Sequence, residues 1–462
     1  MIKKYIGTKD FYKMVLVIAV PIMIQNGFTN FVSLLDNIMV GRIGTDEMSG
    51  VAIVNQLIFV FNLTVFGGLA GAGIFVSQLY GSENYQGIKS VFRLKLYIGL
   101  GVLVAGCAVL YFFQDNLIGY FLHDGSETGD PVATLNYAKQ YLNIMLIGLA
   151  PYVLSQVYAN TLREVGQTVS PMSAGVAAVL VNLVFNYLLI YGKFGFPVMG
   201  VRGAAIATVI SRYVECGILI IWTLLHRKDY DFVRIFTKVK MQKTLVFDVL
   251  KKGFPLLINE LFWSAGMTIM TQCFSMRGLA AVGAVNIAAT IFDIFNIVFI
   301  SLGCSVATIV GNLLGAGKME EAKDTDNKML FFCVVSCLIF SILMIIAAPL
   351  FPKVYNTTDE VRNLAKQFIT ILALLMPFFS YNHAAYFTIR SGGRTFITML
   401  FDSCFVWIFN VTVAFCLSRF TDIPVVILYA ICQGMDIPKC LFSYLCIRSN
   451  IWMQNIVKDN NN

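Results

Sequence analysis

Residues 48–82 read MSGVAIVNQLIFVFNLTVFGGLAGAGIFVSQLYGS, with no Asp, Glu, Lys or Arg between Glu47 and Glu83. A helix crosses a bilayer core in roughly 20 apolar residues, so this one run is long enough to cross. Lipid offers a backbone nothing to bond with, so the run must satisfy its own N–H and C=O groups as a helix. The same signature recurs at 14–35, 96–114, 140–162, 165–192, 294–317, 329–352 and 367–389, all free of Asp, Glu, Lys and Arg. Adding segments with one or two charges predicts twelve spans: 14–39, 49–80, 91–113, 135–161, 169–191, 200–225, 250–275, 281–314, 329–350, 364–389, 395–417 and 424–447. The ten-residue alternation of a membrane β-barrel is absent. The expected fold class is therefore all-α integral membrane.

Composition agrees. The 462 residues are 58% hydrophobic and 13% charged, with mean hydropathy +0.74. A water-facing domain carries about 25% charged residues, so so little charge points to lipid. The first span has a long apolar run with no small-residue cleavage site after it, and is expected to stay as a span. Placing the N-terminus in the cytoplasm puts 23 Lys/Arg on cytoplasmic segments and nine on the opposite loops. The positive-inside rule then predicts both termini inside a bacterial inner membrane. The acidic 123–130 stretch falls outside. The net charge of +8 follows from this asymmetry. Basic residues flank spans and form no single patch, which argues against nucleic-acid binding. Most of the eleven cysteines lie in predicted spans without Cys-x-x-Cys spacing, so neither disulfides nor a structural metal is expected.

The chain also repeats itself. Residues 21–89 slide onto 255–323 at an offset of 234, so that Pro21 meets Pro255, Gly44 meets Gly278 and Gln78-Leu-Tyr-Gly81 meets Asn312-Leu-Leu-Gly315. A second block, Thr161-Leu-Arg-Glu-Val-Gly-Gln-Thr168, meets Thr388-Ile-Arg-Ser-Gly-Gly-Arg-Thr395 at an offset of 227. Six spans thus repeat as six, giving an N-terminal lobe at 1–225, a basic linker at 226–249 and a C-terminal lobe at 250–462. Even-numbered repeats share one topology and are related about an axis along the membrane normal, the usual frame for alternating access.

These features carry a resemblance. Pro21 with Asp36-Asn-Ile-Met-Val-Gly41, then Ser77-Gln-Leu-Tyr-Gly81, Leu162-Arg-Glu-Val-Gly166 before Pro171-Met172, and Asn182-Leu-Val-Phe-Asn186 leading to Gly195-Phe-Pro-Val-Met-Gly-Val-Arg-Gly-Ala-Ala-Ile-Ala-Thr208 stand in the order of the multidrug and toxic compound extrusion (MATE) family. The chain resembles that family along essentially its whole length. The resemblance implies an H⁺- or Na⁺-coupled antiporter that expels cationic amphipathic compounds, with no cofactor beyond the coupling ion. The larger superfamily also contains lipid-linked precursor flippases. That alternative wants a cleft rich in Arg and Lys, and Arg212 is nearly the only basic residue in mid-span.

Asp36 is the leading candidate site. It is the only charge between Lys13 and Arg42 and lies within the first span. A carboxylate at that depth costs about 2.5 kcal/mol or more and should face a cavity and a partner. Low dielectric also favours protonation of carboxylates in general. Asn182 and Asn186 stand four residues apart, on one helix face, and their amides could hold Asp36 or coordinate Na⁺. In the family these positions join the first-span Asp in a polar network. Some members carry Asp where this chain has Asn186, which leaves one carboxylate here. Gln156 and Thr208 are candidate additions. In the second lobe Glu260, Asp293 and His383 are charged or titratable within predicted spans. Some family members carry a Glu about a turn beyond Glu260, where this chain has Trp263. Glu260 pairs with Asn26 in the repeat, and Asp293 with Phe59. The family's second-lobe sodium site uses an Asp on the tenth span, and none lies between Lys366 and Arg390. Arg212 with Glu215, and Asp436 with Lys439, are expected to neutralise each other at i, i+3. Aromatics such as Tyr152, Tyr158 and Phe262 are candidates to stack on organic cations.

Enzyme signatures are missing: there is no Walker A loop, and His123, His226 and His383 lack metal-ligand spacing. Organic cations and membrane lipids are the expected partners, and a monomer the expected state.

Overall fold

The computed structural model describes residues 5–122, 130–230 and 243–458. Most of the acidic 123–130 stretch, His123 and the middle of the basic linker lie outside the described residues. Twelve long helical passages follow one another: α1 (Lys9–Gly41), α2 (Thr45–Gly81), α3 (Tyr85–Phe112), α4 (Pro131–Glu164), α5 (Val169–Tyr191), α6 (Gly200–Leu225), α7 (Lys243–Ser275), α8 (Leu279–Gly315), α9 (Met319–Ala347), α10 (Asp359–Ser391), α11 (Thr395–Phe420) and α12 (Val425–Arg448). A short helix, Gln114–Leu122, follows α3. Eleven of the described helices are long and apolar enough to cross a membrane; α7 is the exception. Its first turns carry Lys243, Asp248, Lys251 and Lys252, with Glu260 further on.

Helix ends follow from local chemistry. Asp130 caps α4 by accepting the Val132 N–H at 2.9 Å, and Pro131 at the first position has no N–H to satisfy. Thr358 caps α10 through the Val361 N–H. The turns after α4 and α10 repeat each other: Gly166 has φ +85° and Gly393, 227 residues on, has φ +74°. Only glycine enters that left-handed region without cost. Pro21 in α1 and Pro255 in α7 likewise occupy repeat-related positions inside helices.

The chain forms two compact units. The first gathers the described residues of Ile24–Gly73 and Tyr85–Val246. Here α4 packs on α3, α5 and α6, burying Leu142, Met145 and Leu149. The second gathers the described residues of Met1–Met23, Ile74–Asn84 and Phe247–Asn462. Here α10 is the centre, packed by α8, α9 and α12, with Phe368 stacked on Tyr429 at 4.2 Å.

Within the second unit the last turns of α2 and α8 nearly touch. A Cβ on Gly81 would stand 1.8 Å from the Asn312 carbonyl oxygen, and one on Gly315 would stand 1.9 Å from that of Gln78. The contact is reciprocal, because Gln78 and Asn312 are repeat partners, as are Gly81 and Gly315. The fully buried Gln78 amide donates to the carbonyls of Ser391 (2.9 Å) and Gln454 (3.0 Å), and its oxygen accepts from Ile456 N (2.8 Å). The residues after α12 are thereby tied to α2 and α10.

Candidate functional site

In the first unit, α1, α5 and α6 each contribute to a single chain of hydrogen bonds. Four residues make about one helical turn, so Asn182 and Asn186 share a face of α5, 6% and 1% exposed. Asn186 Nδ2 donates to Asp36 Oδ1 at 2.5 Å and to Asn182 Oδ1 at 3.1 Å. Asn182 Nδ2 donates to Thr208 Oγ1 at 3.2 Å, and the Thr208 hydroxyl donates to the Ala204 carbonyl at 3.0 Å. The chain runs outward from the Asn186 amide, to the Asp36 carboxylate on one side and through Asn182 and Thr208 to the Ala204 carbonyl on the other. Asp36, Asn186, Asn182 and Thr208 are thus brought together. Gln156 is half-buried and makes no hydrogen bond to them.

Two expected neutralising pairs do not form as read. Arg212 lies over the Tyr152 ring, 5.0 Å from its centroid, and makes no ion pair with Glu215. A long side chain on a buried helix face meets an aromatic on α4 before it can fold back along its own helix. Lys439 reaches across to Asp402 on α11 at 2.9 Å rather than along α12 to Asp436. Asp436 is engaged elsewhere: Asn382 Nδ2 donates to its carbonyl (2.9 Å) and to its carboxylate (3.0 Å).

The Asp402–Lys439 pair anchors a buried polar cluster in the second unit. Asn259 Nδ2 donates to Asp402 Oδ2 at 3.0 Å, and Asn259 Oδ1 accepts from Ser403 N at 3.2 Å. Ser443 Oγ donates to Asn382 Oδ1 at 2.7 Å. Next to Asn259 on α7, Glu260 Oε1 accepts from the Tyr386 hydroxyl at 3.0 Å. His383 stacks on Tyr386 (interplanar 19°) and meets Phe299 and Phe387 edge-on; its Nε2 is buried without a hydrogen-bond partner. Glu260 and His383 therefore share Tyr386. Asp293 does not join them: it is exposed, with Asn296 Nδ2 3.3 Å away. Around Asp402 the backbone of α11 opens into wide turns at Leu400–Cys404 and Val406–Val411, a form frequent at functional sites.

Asp402, Asn259 and Asn382 were not singled out in the sequence. One signal was available for Asp402. It is a carboxylate inside the predicted 395–417 span, the same criterion that selects Asp36.

The MatE family model matches the chain twice, over residues 21–188 and 255–416. The two matches begin 234 residues apart, which is the repeat offset. Among curated proteins, the chain is 24% identical over 410 residues to the Thermotoga maritima protein named "Probable multidrug resistance protein NorM", covering 87% of this chain and 85% of that one. Among solved structures, a mutant of the Vibrio cholerae MATE transporter VcmN aligns with a TM-score of 0.84 at 15% identity, covering 96% of this chain and 98% of that one. A MOP superfamily transporter from Pyrococcus furiosus aligns with a TM-score of 0.82 at 17% identity, covering 97% and 98%.

Proposed function

The chain belongs to the MatE family, and on that premise we propose that it is an efflux antiporter, exporting cationic amphipathic compounds against the inward flow of H⁺ or Na⁺. The observation that carries this reading is the Asp36 carboxylate, set inside α1 and held by the buried Asn186 amide at 2.5 Å. A carboxylate in that setting attracts one positive charge at a time, either the exported cation or the ion that replaces it. Exchange of the two at one group is the simplest form of antiport. Access alternates between the membrane faces, with both termini on the cytoplasmic side.

Either ion fits the amide chain: a proton on Asp36 leaves the Asn186–Asn182 hydrogen bond in place, and a Na⁺ ion beside the carboxylate could use a second lone pair of an amide oxygen.

Proteoliposomes with imposed proton or sodium gradients test the reading, with ethidium as the probe. Gradient-driven ethidium export that collapses in Asp36→Asn is the expected result. Export untouched by Asp36→Asn removes the site, and no export under either gradient removes the antiport reading.

A further inference from the structure

Asp326, near the start of α9, is 1% exposed. Its Oδ1 lies 2.5 Å from Thr388 Oγ1 on α10. Its Oδ2 is buried with no hydrogen-bond partner, and among the described residues no Lys, Arg or His forms an ion pair with it. An ionised carboxylate in that position, stripped of water and counter-ion, is strongly disfavoured.

Hydrogen counting points to the other form. Thr388 Oγ1 is also 3.1 Å from the Ala384 carbonyl oxygen, one turn back on α10. A hydroxyl has a single hydrogen to donate. If Asp326 is ionised, both neighbours of Thr388 are acceptors, and one of the two contacts has no hydrogen in it. If the carboxyl holds a proton, its O–H donates to Thr388 Oγ1 and the hydroxyl donates to Ala384. Both contacts are then hydrogen bonds.

The first unit contains the same relay with a different donor. Thr161 is the repeat partner of Thr388, and its Oγ1 donates to the Val157 carbonyl one turn back, at 2.8 Å. The group delivering a hydrogen to Thr161 is the Lys95 ammonium on α3, 3.2 Å away. An ammonium can only donate. In the first unit the threonine accepts from the preceding helix and donates back along its own; a carboxyl at Asp326 can give Thr388 the same arrangement only when protonated.

We propose that Asp326 is a proton-binding site, occupied in the conformation described and emptied, as carboxylate plus a proton passed to water, when the α9–α10 contact at Thr388 opens. The site is separate from Asp36 and reaches beyond the antiport reading.

The surrounding groups leave the proton there. Cys333 on α9 and Tyr381 on α10 are titratable neighbours, and neither side chain can carry a positive charge. On α9, Lys328 is engaged by Asp324 at 2.5 Å. Arg390 on α10 lies over the Phe387 ring, 5.4 Å from its centroid. The one charged residue of α8, Asp293, is exposed near Asn296.

Infrared spectroscopy of the purified, reconstituted protein reads the proton directly. Asp326→Asn keeps an N–H donor for Thr388 and should fold. Expected at neutral pH is a protonated-carboxyl band in wild type that is missing in Asp326→Asn, is present in Asp36→Asn, and is lost and regained on cycling to alkaline pH. Thr388→Val should move that band to higher frequency by removing its acceptor, which provides a reading even if Asp326→Asn proves unstable. Identical carboxyl bands in wild type and Asp326→Asn, a band unmoved by Thr388→Val, or one that never titrates would each overturn the proposal. None of these readings uses transport, so the proposal and the antiport reading can fail separately.

Discussion

Removing Lys95 should unfold the first unit more easily than removing any exposed lysine. Its ammonium is 0% exposed and pairs with Glu164, itself 18% exposed, while also donating to Thr161. Breaking a buried pair by deleting one partner costs about 3–5 kcal/mol, because the other charge is left behind without compensation. In Lys95→Met the stranded group is Glu164, which keeps some access to water, so the low end, about 3 kcal/mol, applies. In Glu164→Leu the stranded group is a fully buried ammonium, and the cost moves to about 5 kcal/mol. Lys95→Met with Glu164→Leu strands nothing. It should recover most of the loss, falling short by about 1 kcal/mol for the hydrogen bond to Thr161. The double-mutant cycle then yields a coupling of about 7 kcal/mol, read by equilibrium unfolding in mixed micelles. Single variants that each cost under about 1 kcal/mol, or a double variant as unstable as the sum of the singles, would refute the argument that burial makes this pair matter.

The Asp402–Lys439 pair in the second unit should behave alike. Asp402→Asn leaves an 8%-exposed Lys439 uncompensated and should destabilise by about 3 kcal/mol, whereas adding Lys439→Met should restore stability; unfolding midpoints that do not recover in the double variant would argue against the pairing. Gly81→Ala and Gly315→Ala should be damaging to a similar degree, since each new Cβ meets a carbonyl oxygen under 2 Å away. Expression yield and monodispersity in detergent would report it, and a well-behaved Gly315→Ala would show that the helices separate cheaply.

Much of the fold was legible because lipid removes choices. A charge-free run of the right length has only one way to satisfy its backbone, so eight of the twelve spans were legible as charge-free runs and the other four as long apolar segments with few charges. The repeat was legible because Gly166 and Gly393 need the same backbone angle and Pro21 and Pro255 the same tolerance. The Asp36 network was legible from the i, i+4 spacing of Asn182 and Asn186, which puts both amides on one side of a helix. The second cluster was not. Local spacing offered Asp436 as the partner of Lys439, and tertiary packing supplied Asp402 instead, with Asn382 holding Asp436 aside. The wide turns of α11 turn residues out of the ordinary helical register, and nothing in 400–411 announces them.

The reciprocal contact between α2 and α8 has a further meaning. Where position i meets j and the counterpart of j meets the counterpart of i, the contact is isologous, the geometry of a twofold homodimer. Gln78 over Gly315, with Asn312 over Gly81, is that geometry written within one polypeptide. In a true homodimer any substitution there would appear on both sides at once. Within one chain that constraint is absent, and the two sides carry different residues. Gln78 now secures the segment beyond α12 through Ser391, Gln454 and Ile456, while the buried amide oxygen of Asn312 has no partner at all. A single chain can thus give two repeat-related surfaces different duties.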